Sequence, residues 1–326
     1  MKYFVTGATG FVGSVLAKRL REAGHDVNAS VRSPEKAKDL QTLGVKLFKG
    51  DVTDKESMRE AMTGVDGVYH VAGWYKVGAK DKSGGVQVNI NGTRNVLELM
   101  QELKIPKGVY TSTLAVYSDT KGKLVDETYR FTGQHLSEYD RTKAAAHDIA
   151  NEFIAKGLPL VIVQPGMIYG PGDTSTLRNN LHELFKGRMP ALPKGTMMCW
   201  AHVDDIVHGH MLAMEKGKVG ESYNICGEPY KLHEIFKLAA QTAGVRAPMP
   251  APDGMMKLMS VLVTPLDTLM PDSYTSEGLR EISGTTYTGD NSKAKRELGF
   301  NPRPVSEGWV ETVKHEMKSL GMEKPA

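Results

Sequence analysis

A glycine loop lies almost at the start of the chain and restricts its fold more than any other feature. The apolar run Tyr3-Phe4-Val5-Thr6 leads into Gly7-Ala8-Thr9-Gly10-Phe11-Val12-Gly13, and an amphipathic stretch follows. Glycines three residues apart let the backbone turn sharply and let another group come close to it. A strand before the loop and a helix after it are the setting in which first-turn N–H groups and the helix dipole receive a pyrophosphate. A glycine motif standing alone is equally a tight strand-to-helix turn, so the pattern that follows has to decide.

That pattern alternates. Tyr3–Thr6, Asp26–Val31, Lys46–Lys49, Gly67–Val71, Gly108–Ser112 and Leu160–Gln164 read as strands. Val12–Ala23, Lys55–Met62, Gln87–Leu103 and Tyr139–Lys156 read as helices between them. Strand and helix in turn imply βαβ units, and so an α/β fold with a doubly wound parallel sheet of the Rossmann kind. After Gln164 the rhythm breaks at Pro165-Gly166 and Gly170-Pro171-Gly172. One more unit follows, a strand at Cys199–Val203 and a helix at Asp204–Glu215 that Asp204 or Asp205 can cap. The expected organisation is a dinucleotide-binding domain over 1–168, with 199–226 packing back on it. A smaller, mainly helical substrate lobe takes 169–198 and 227–326.

The 326 residues are 40% hydrophobic and 24% charged, with a net charge of +3. Lys and Arg are scattered, which speaks against a nucleic-acid or membrane-surface role. No apolar run is long enough to cross a bilayer, and the first residues leave no room for a signal peptide, so a cytoplasmic enzyme is expected. Cys199 and Cys226 suggest neither a disulfide framework nor a zinc site. His202, Asp204, His208 and His210 straddle a strand–helix junction in no established zinc pattern, so no metal is expected.

Tyr139 and Lys143 stand at i and i+4, on one face of a helix. A phenol alone titrates near 10, and a neighbouring ammonium favours the phenolate, which suits exchange of a proton with a carbonyl oxygen. Such a pair is also what any amphipathic helix can show by chance. Thr111-Ser112-Thr113 at an upstream strand end adds hydroxyls that can meet a substrate oxygen. Asp51, after the third strand, falls where an adenine ring would lie, or is a turn residue. The second strand ends at Val31-Arg32-Ser33-Pro34 rather than in the carboxylate that grips the ribose of NAD. Arg32, helped by Lys36 or Lys38, offers donors to a phosphate, so NADP is the expected cofactor and NAD the alternative.

These motifs together resemble the extended branch of the short-chain dehydrogenase/reductase superfamily over nearly the whole chain. The Thr6–Gly13 loop and Gly50-Asp51-Val52-Thr53-Asp54 are similar to its cofactor-side motifs. His70-Val71-Ala72-Gly73 resembles its His-x-Ala-Ala segment with Gly73 in place of the last Ala, and Asn89-Ile90-Asn91-Gly92-Thr93 its next helix. The resemblance implies that Thr113, Tyr139 and Lys143 are catalytic, with Lys143 also bonding the nicotinamide ribose. It implies cofactor contacts from Thr6, Gly7, Thr9, Gly10, Phe11, Val12, Gly13, Arg32, Lys36, Asp51 and Val52. Val71, Ala72, Gly73, Thr111, Ser112, Pro165, Gly166, Met167 and Ile168 complete that set, together with Tyr139 and Lys143. His202–Asp205 and Asn291–Gly299 resemble its later segments, and a homodimer is compatible with the family.

Two departures choose among reactions. Sugar-nucleotide members often read Arg-x-x-Asn-x-Tyr-Gly-Pro, whereas Gln164 and Met167 stand in for that Arg and Asn here. A site deprived of such polar contacts rejects the substrates that need them. The loop at Arg32 is similar to that of dihydroflavonol 4-reductase and 3β-hydroxysteroid dehydrogenase-like reductases. The expectation is an NADP(H)-dependent oxidoreductase acting on a ketone, aldehyde or secondary alcohol. The alternatives are a sugar-nucleotide epimerase or dehydratase and a non-catalytic NADP-sensing protein. The stretch Met255-Met256-Lys257-Leu258-Met259 through Leu269-Met270 either walls an apolar pocket or faces the core. Trp74 and Tyr75 pose the same choice.

Overall fold

Strands buried on both faces need apolar residues in both phases, and the fourth and fifth residues of the chain already divide this way. Phe4 joins a core with Met58, Leu97, Tyr110 and Phe153, whereas Val5 joins one on the opposite face with Leu16, Val163 and Ile206. The computed structural model describes residues 1–269 and 275–322, with the Lys36 side chain outside that description. The first half runs β1 (Lys2–Thr6), α1 (Phe11–Glu22), β2 (Asp26–Val31), α2 (Lys38–Thr42), β3 (Lys46–Lys49), α3 (Lys55–Met62) and β4 (Gly67–His70). A π-helical segment, Gly85–Gly92, continues into α4 (Thr93–Glu102), followed by β5 (Gly108–Thr111), α5 (Glu138–Ala155) and β6 (Leu160–Pro165).

The second half runs β7 (Met167–Tyr169), α6 (Thr176–Phe185), β8 (Ala191–Pro193), β9 (Met197–His202), α7 (Val203–Lys216) and β10 (Ser222–Ile225). Then come β11 (Pro229–Lys231), α8 (Leu232–Ala243), β12 (Met249–Ala251) and α9 (Asp253–Leu262). α10 (Ser276–Glu281), β13 (Thr286–Tyr287), α11 (Ser292–Leu298) and α12 (Val305–Ser319) complete the order. The main sheet is parallel throughout, in the order β3-β2-β1-β4-β5-β6-β10. Strand order reverses between β1 and β4, where Thr6 pairs with His70, and a doubly wound sheet opens its crevice at the carboxyl ends there.

The second half holds more strand than its sequence suggests. β9 pairs antiparallel with β11 on one edge and parallel with β13 and β7 on the other, while β8 pairs with β12. These added strands have two or three residues each, too few for an alternating pattern to show. Trp200 and Trp309 stack edge-on at 5.6 Å at the centre of the lobe's core, and each indole N–H donates to a backbone carbonyl. Among the described residues no helix is long and apolar enough to cross a membrane.

Three local expectations are corrected. α7 is capped by neither aspartate: His202 occupies the N-cap, its Nδ1 accepting Asp204 N–H at 3.2 Å. Asp204 pairs instead with Arg19 at 2.9 Å, and Asp205 takes the Arg303 guanidinium in a forked pair. The helix expected over Gln87–Leu103 is π-helical at its start, where Asn89 turns in to bond the Trp74 backbone both ways. The methionine-rich stretch does not face the core. Ser260 is the buried residue of α9, while Met255, Leu258, Met259, Val261 and Leu262 are exposed, as are Leu266 and Leu269 beyond it. Met270 lies outside the described residues.

Candidate active site

The glycine loop closes on itself at the switch point. Gly7 has a φ of +70°, and a Cβ there would stand 2.8 Å from the Ala72 backbone; one on Gly13 would stand 2.1 Å from the Gly7 carbonyl oxygen. Gly10 is the N-cap of α1 without a side-chain cap, so the first-turn N–H groups carry no protein side chain as acceptor. A cradle that admits no side chain, at a helix N-terminus with no acidic residue in its first turn, fits a pyrophosphate. Thr9 and Gly10 are exposed, and Phe11 and Val12 half-buried. Thr6 is fully buried: its hydroxyl accepts the Val71 and Ala72 N–H groups at 3.1 Å each and meets His70 Nδ1 at 2.8 Å.

At the outer end of the crevice the Asp51 carboxylate accepts from Thr53 N–H and hydroxyl at 2.9 Å, and Asn95 holds the Val52 carbonyl at 2.8 Å. The Arg32 side chain is 84% exposed and stands 3.9 Å from Asp51. A pair so open and so long contributes little, which leaves the guanidinium free to turn to another anion. Gly73 is exposed beside Asn89.

On the other side of the crevice, α5 starts at Glu138 under a Ser137 cap and carries Tyr139 and Lys143 on one face. The Thr113 hydroxyl oxygen accepts Ala115 N–H at 3.2 Å, which leaves its proton for the Tyr139 oxygen, and this bond lowers the phenol's pKa. Burial outweighs it, so the Tyr139 pKa is raised overall. This differs from the lowering expected from a neighbouring ammonium. The cause lies in where Lys143 points: its Nζ donates to the Thr111 carbonyl at 2.8 Å and to the Tyr110 hydroxyl at 3.3 Å. Burial lowers Lys143 to about 7, so near neutrality it is poised between ammonium and amine.

The other two strand-end hydroxyls turn to buried histidines. Ser112 Oγ meets His147 Nδ1 at 2.9 Å, and Thr111 Oγ1 meets His210 Nε2 at 2.9 Å. His210 Nδ1 donates to the Ile206 carbonyl at 2.8 Å, so its Nε2 must accept from Thr111. Pro165 ends β6, Met167 and Ile168 pair with Trp200 and Ala201 of β9, and a Cβ on Gly166 would stand 2.4 Å from the Cys199 carbonyl oxygen.

Sequence reasoning missed the groups on either side of this wall. His147 could have been found, since it stands four residues after Lys143. Tyr110 and the α10 carboxylates carry no such signal. Asp140, beneath Tyr139, accepts from the Tyr287 hydroxyl at 3.0 Å, and burial pushes it up to about 7. Glu281 is raised as well, by burial and by Asp140.

A glycine cradle at the switch point of a doubly wound sheet, facing a Thr–Tyr–Lys set, defines a nicotinamide-dependent oxidoreductase of the short-chain type. The family model for the NAD dependent epimerase/dehydratase family matches residues 3–226, and the chain belongs to that family, within the extended short-chain dehydrogenases/reductases. It is 29% identical over 322 residues to sterol demethylase protein B of Methylococcus capsulatus, covering 96% of this chain and 97% of that one. It is also 29% identical over 323 residues to the 4-hydroxy-2-methyl-3-oxo-4-farnesyl-3,4-dihydroquinoline-1-oxide ketoreductase of Stigmatella aurantiaca, covering 96% of each. The crystal structure of gox2253 superposes with a TM-score of 0.86 at 31% identity, covering 99% of both chains.

Proposed function

We propose that the protein is an NADP(H)-dependent carbonyl reductase whose substrate is an apolar ketone or aldehyde, or, in reverse, a secondary alcohol. The arrangement of Thr113, Tyr139 and Lys143 carries this reading. The nicotinamide, when bound, supplies or accepts the hydride. Thr113 polarises the substrate oxygen, and the protonated Tyr139 gives that oxygen its proton. Lys143, anchored by the Thr111 carbonyl and the Tyr110 hydroxyl, holds the cofactor's ribose. Residues 1–168 with 199–226 bind the dinucleotide, and 169–198 with 227–326 select the substrate.

Several features support an apolar substrate over a nucleotide sugar. The Gln164 side chain is buried within the protein and stands where sugar-nucleotide members place an arginine, and Met167 stands in for their asparagine. Two relatives bear the names of a sterol-processing protein and a ketoreductase of a farnesylated ring. The exposed Arg32, with no carboxylate at its own strand end, supports NADP over NAD.

The test follows NADPH and NADH absorbance with a panel of ketones of increasing apolar size, with Tyr139→Phe as control. Turnover that falls about 100- to 10,000-fold in Tyr139→Phe is expected, the range general acid catalysis supplies. Arg32→Ser should weaken NADPH selectively, by about tenfold or more, while leaving NADH unchanged. Copurified NAD(P) with no net turnover would replace the reductase by an epimerase or dehydratase.

A further inference from the structure

A chain of buried hydrogen bonds runs across the switch point, from the lysine beside Tyr139 to the glycine loop. Lys143 donates to the Tyr110 hydroxyl and sits 4.9 Å above the Tyr110 ring centre. That ring stacks on the His70 imidazole with centres 5.4 Å apart and planes 26° from parallel. The Tyr110 hydroxyl also bonds Thr93, whose Oγ1 meets His70 Nε2 at 3.0 Å. His70 Nδ1 meets Thr6 Oγ1, which holds the Val71 and Ala72 amides. Every member is at most 5% exposed.

Valence fixes the direction of this chain. Thr6 Oγ1 accepts two N–H groups, so both its lone pairs are used and its own proton can go only to His70 Nδ1. His70 is therefore neutral, carries its proton on Nε2 and gives it to Thr93. A second proton on Nδ1 would face an oxygen with no lone pair left.

We propose that His70 is a positioning residue, which acts through Thr93 and Tyr110 to place Lys143 and through Thr6 to fix the Val71–Ala72 backbone against Gly7. The cofactor loop and the lysine are then one hydrogen-bonded unit, and the ionisation of Lys143 is a property of that unit. The inference rests on Tyr139 and Lys143 handling the proton. The titratable groups facing Lys143 are His70 from β4, Tyr110 from β5 and His147 from its own helix.

The test reads Lys143 directly, by carbon-13 NMR titration of protein labelled at the lysine ε-carbon, with the signal assigned by Lys143→Arg. Tyr110→Phe keeps the stacked ring and removes an acceptor that favours the charged lysine. It should move the Lys143 midpoint down by about half a unit or more, about a threefold change in its ionisation constant. His70→Asn keeps an acceptor for Thr6 but cuts the Thr93 end; His70→Gln keeps the donor to Thr93. The Asn variant should move the midpoint more than the Gln variant, and combining it with Tyr110→Phe should add nothing, as for residues in one chain. The pH profile of kcat for NADPH-driven reduction should shift with the midpoint, while the KM for NADPH in Tyr110→Phe stays within about twofold. Unmoved midpoints with a lowered melting temperature would reduce His70 to a core residue and overturn the proposal. Absence of any reductase turnover would sink the functional reading alone, since the lysine titration is measured without it.

Discussion

Tyr139 lies between two buried sets of ionisable groups, and they are built differently. On the sheet side stand His70, His147, His210 and Lys143, each held by hydroxyls or carbonyls from β1, α4, the end of β5 and α7. On the lobe side stand Asp140, Glu277 and Glu281. Glu277 accepts Glu138 N–H at 2.9 Å and pairs with Lys82, but one Asp140 oxygen has no partner. Burial pushes the bases down to about 7 for Lys143, about 4 for His147 and His210, and about 3 for His70, while it raises Asp140 and Glu281. Lys143 and Asp140 are thus shifted toward their uncharged forms from opposite directions. The contrast lies in support. The sheet side is locked by parallel strands, whereas the lobe side hangs on a six-residue helix packed against α9, whose apolar face points outward.

The largest expected effect tests that contrast with glycines. A methyl on Gly13 would lie 2.1 Å from the Gly7 carbonyl, backbone that cannot yield, while one on Gly254 in α9 meets nothing within 4 Å. Gly13→Ala should cost about 3 kcal/mol or more of stability and abolish measurable nicotinamide-cofactor binding. Gly254→Ala should stabilise the protein by about 0.4–1 kcal/mol, by restricting the unfolded chain. Thermal unfolding with a cofactor titration reads both. Equal tolerance at the two positions would erase the distinction between a rigid side and a loose one.

Proton linkage gives the next largest effect, with opposite signs on the two sides. His210 is neutral when folded down to about pH 4, whereas the unfolded chain takes up that proton near 6.5. Its contribution to stability is therefore complete above 6.5 and lost as pH falls toward 4, at about 1.4 kcal/mol per pH unit. His210→Gln should flatten the fall of stability between pH 6 and 5 by about that amount. A raised Glu281 works the other way: the folded state holds a proton that the unfolded chain releases, a contribution present at low pH and lost as pH rises through the folded value. Glu281→Gln should accordingly steepen the acid-side loss. Urea unfolding across this range measures both slopes, and two changes of the same sign would contradict the opposed-charge picture.

The two sides also differed in how far the sequence disclosed them. The sheet side was legible because its determinants are short and local: the glycine spacing after a strand, the i, i+4 pair, and the hydroxyls at a strand end. What sequence alone missed there is cross-strand. That Tyr110 reaches Thr93 and His70 depends on the register of β4 beside β5, and that His202 displaces two aspartates as a cap depends on Arg19 arriving from α1 and Arg303 from the loop before α12. The lobe side was opaque for a different reason. Strands of two or three residues show no period, and α9 reverses the usual rule by burying a serine and exposing its leucines. Where tertiary placement overrides amphipathic pattern, no window of sequence reports it.

The smallest expected effect asks whether that reversal holds in solution. Leu258 is 60% exposed and Val261 68%, so neither buries enough area on folding to matter much. Leu258→Glu and Val261→Glu should each change stability by less than about 0.5 kcal/mol, as substitutions on an open surface do. A buried leucine on the sheet side, such as Leu97 at 0% exposure, should lose about 2–5 kcal/mol when cut to alanine. The measurement is a melting curve of each variant over a range of protein concentrations. If Leu258→Glu costs as much as Leu97→Ala, the outer face of α9 is covered in solution, and the two sides of the site are more alike than their hydrogen bonds suggest. If it costs nothing, the apolar face is open, and the difference between a locked wall and an unsupported one stands.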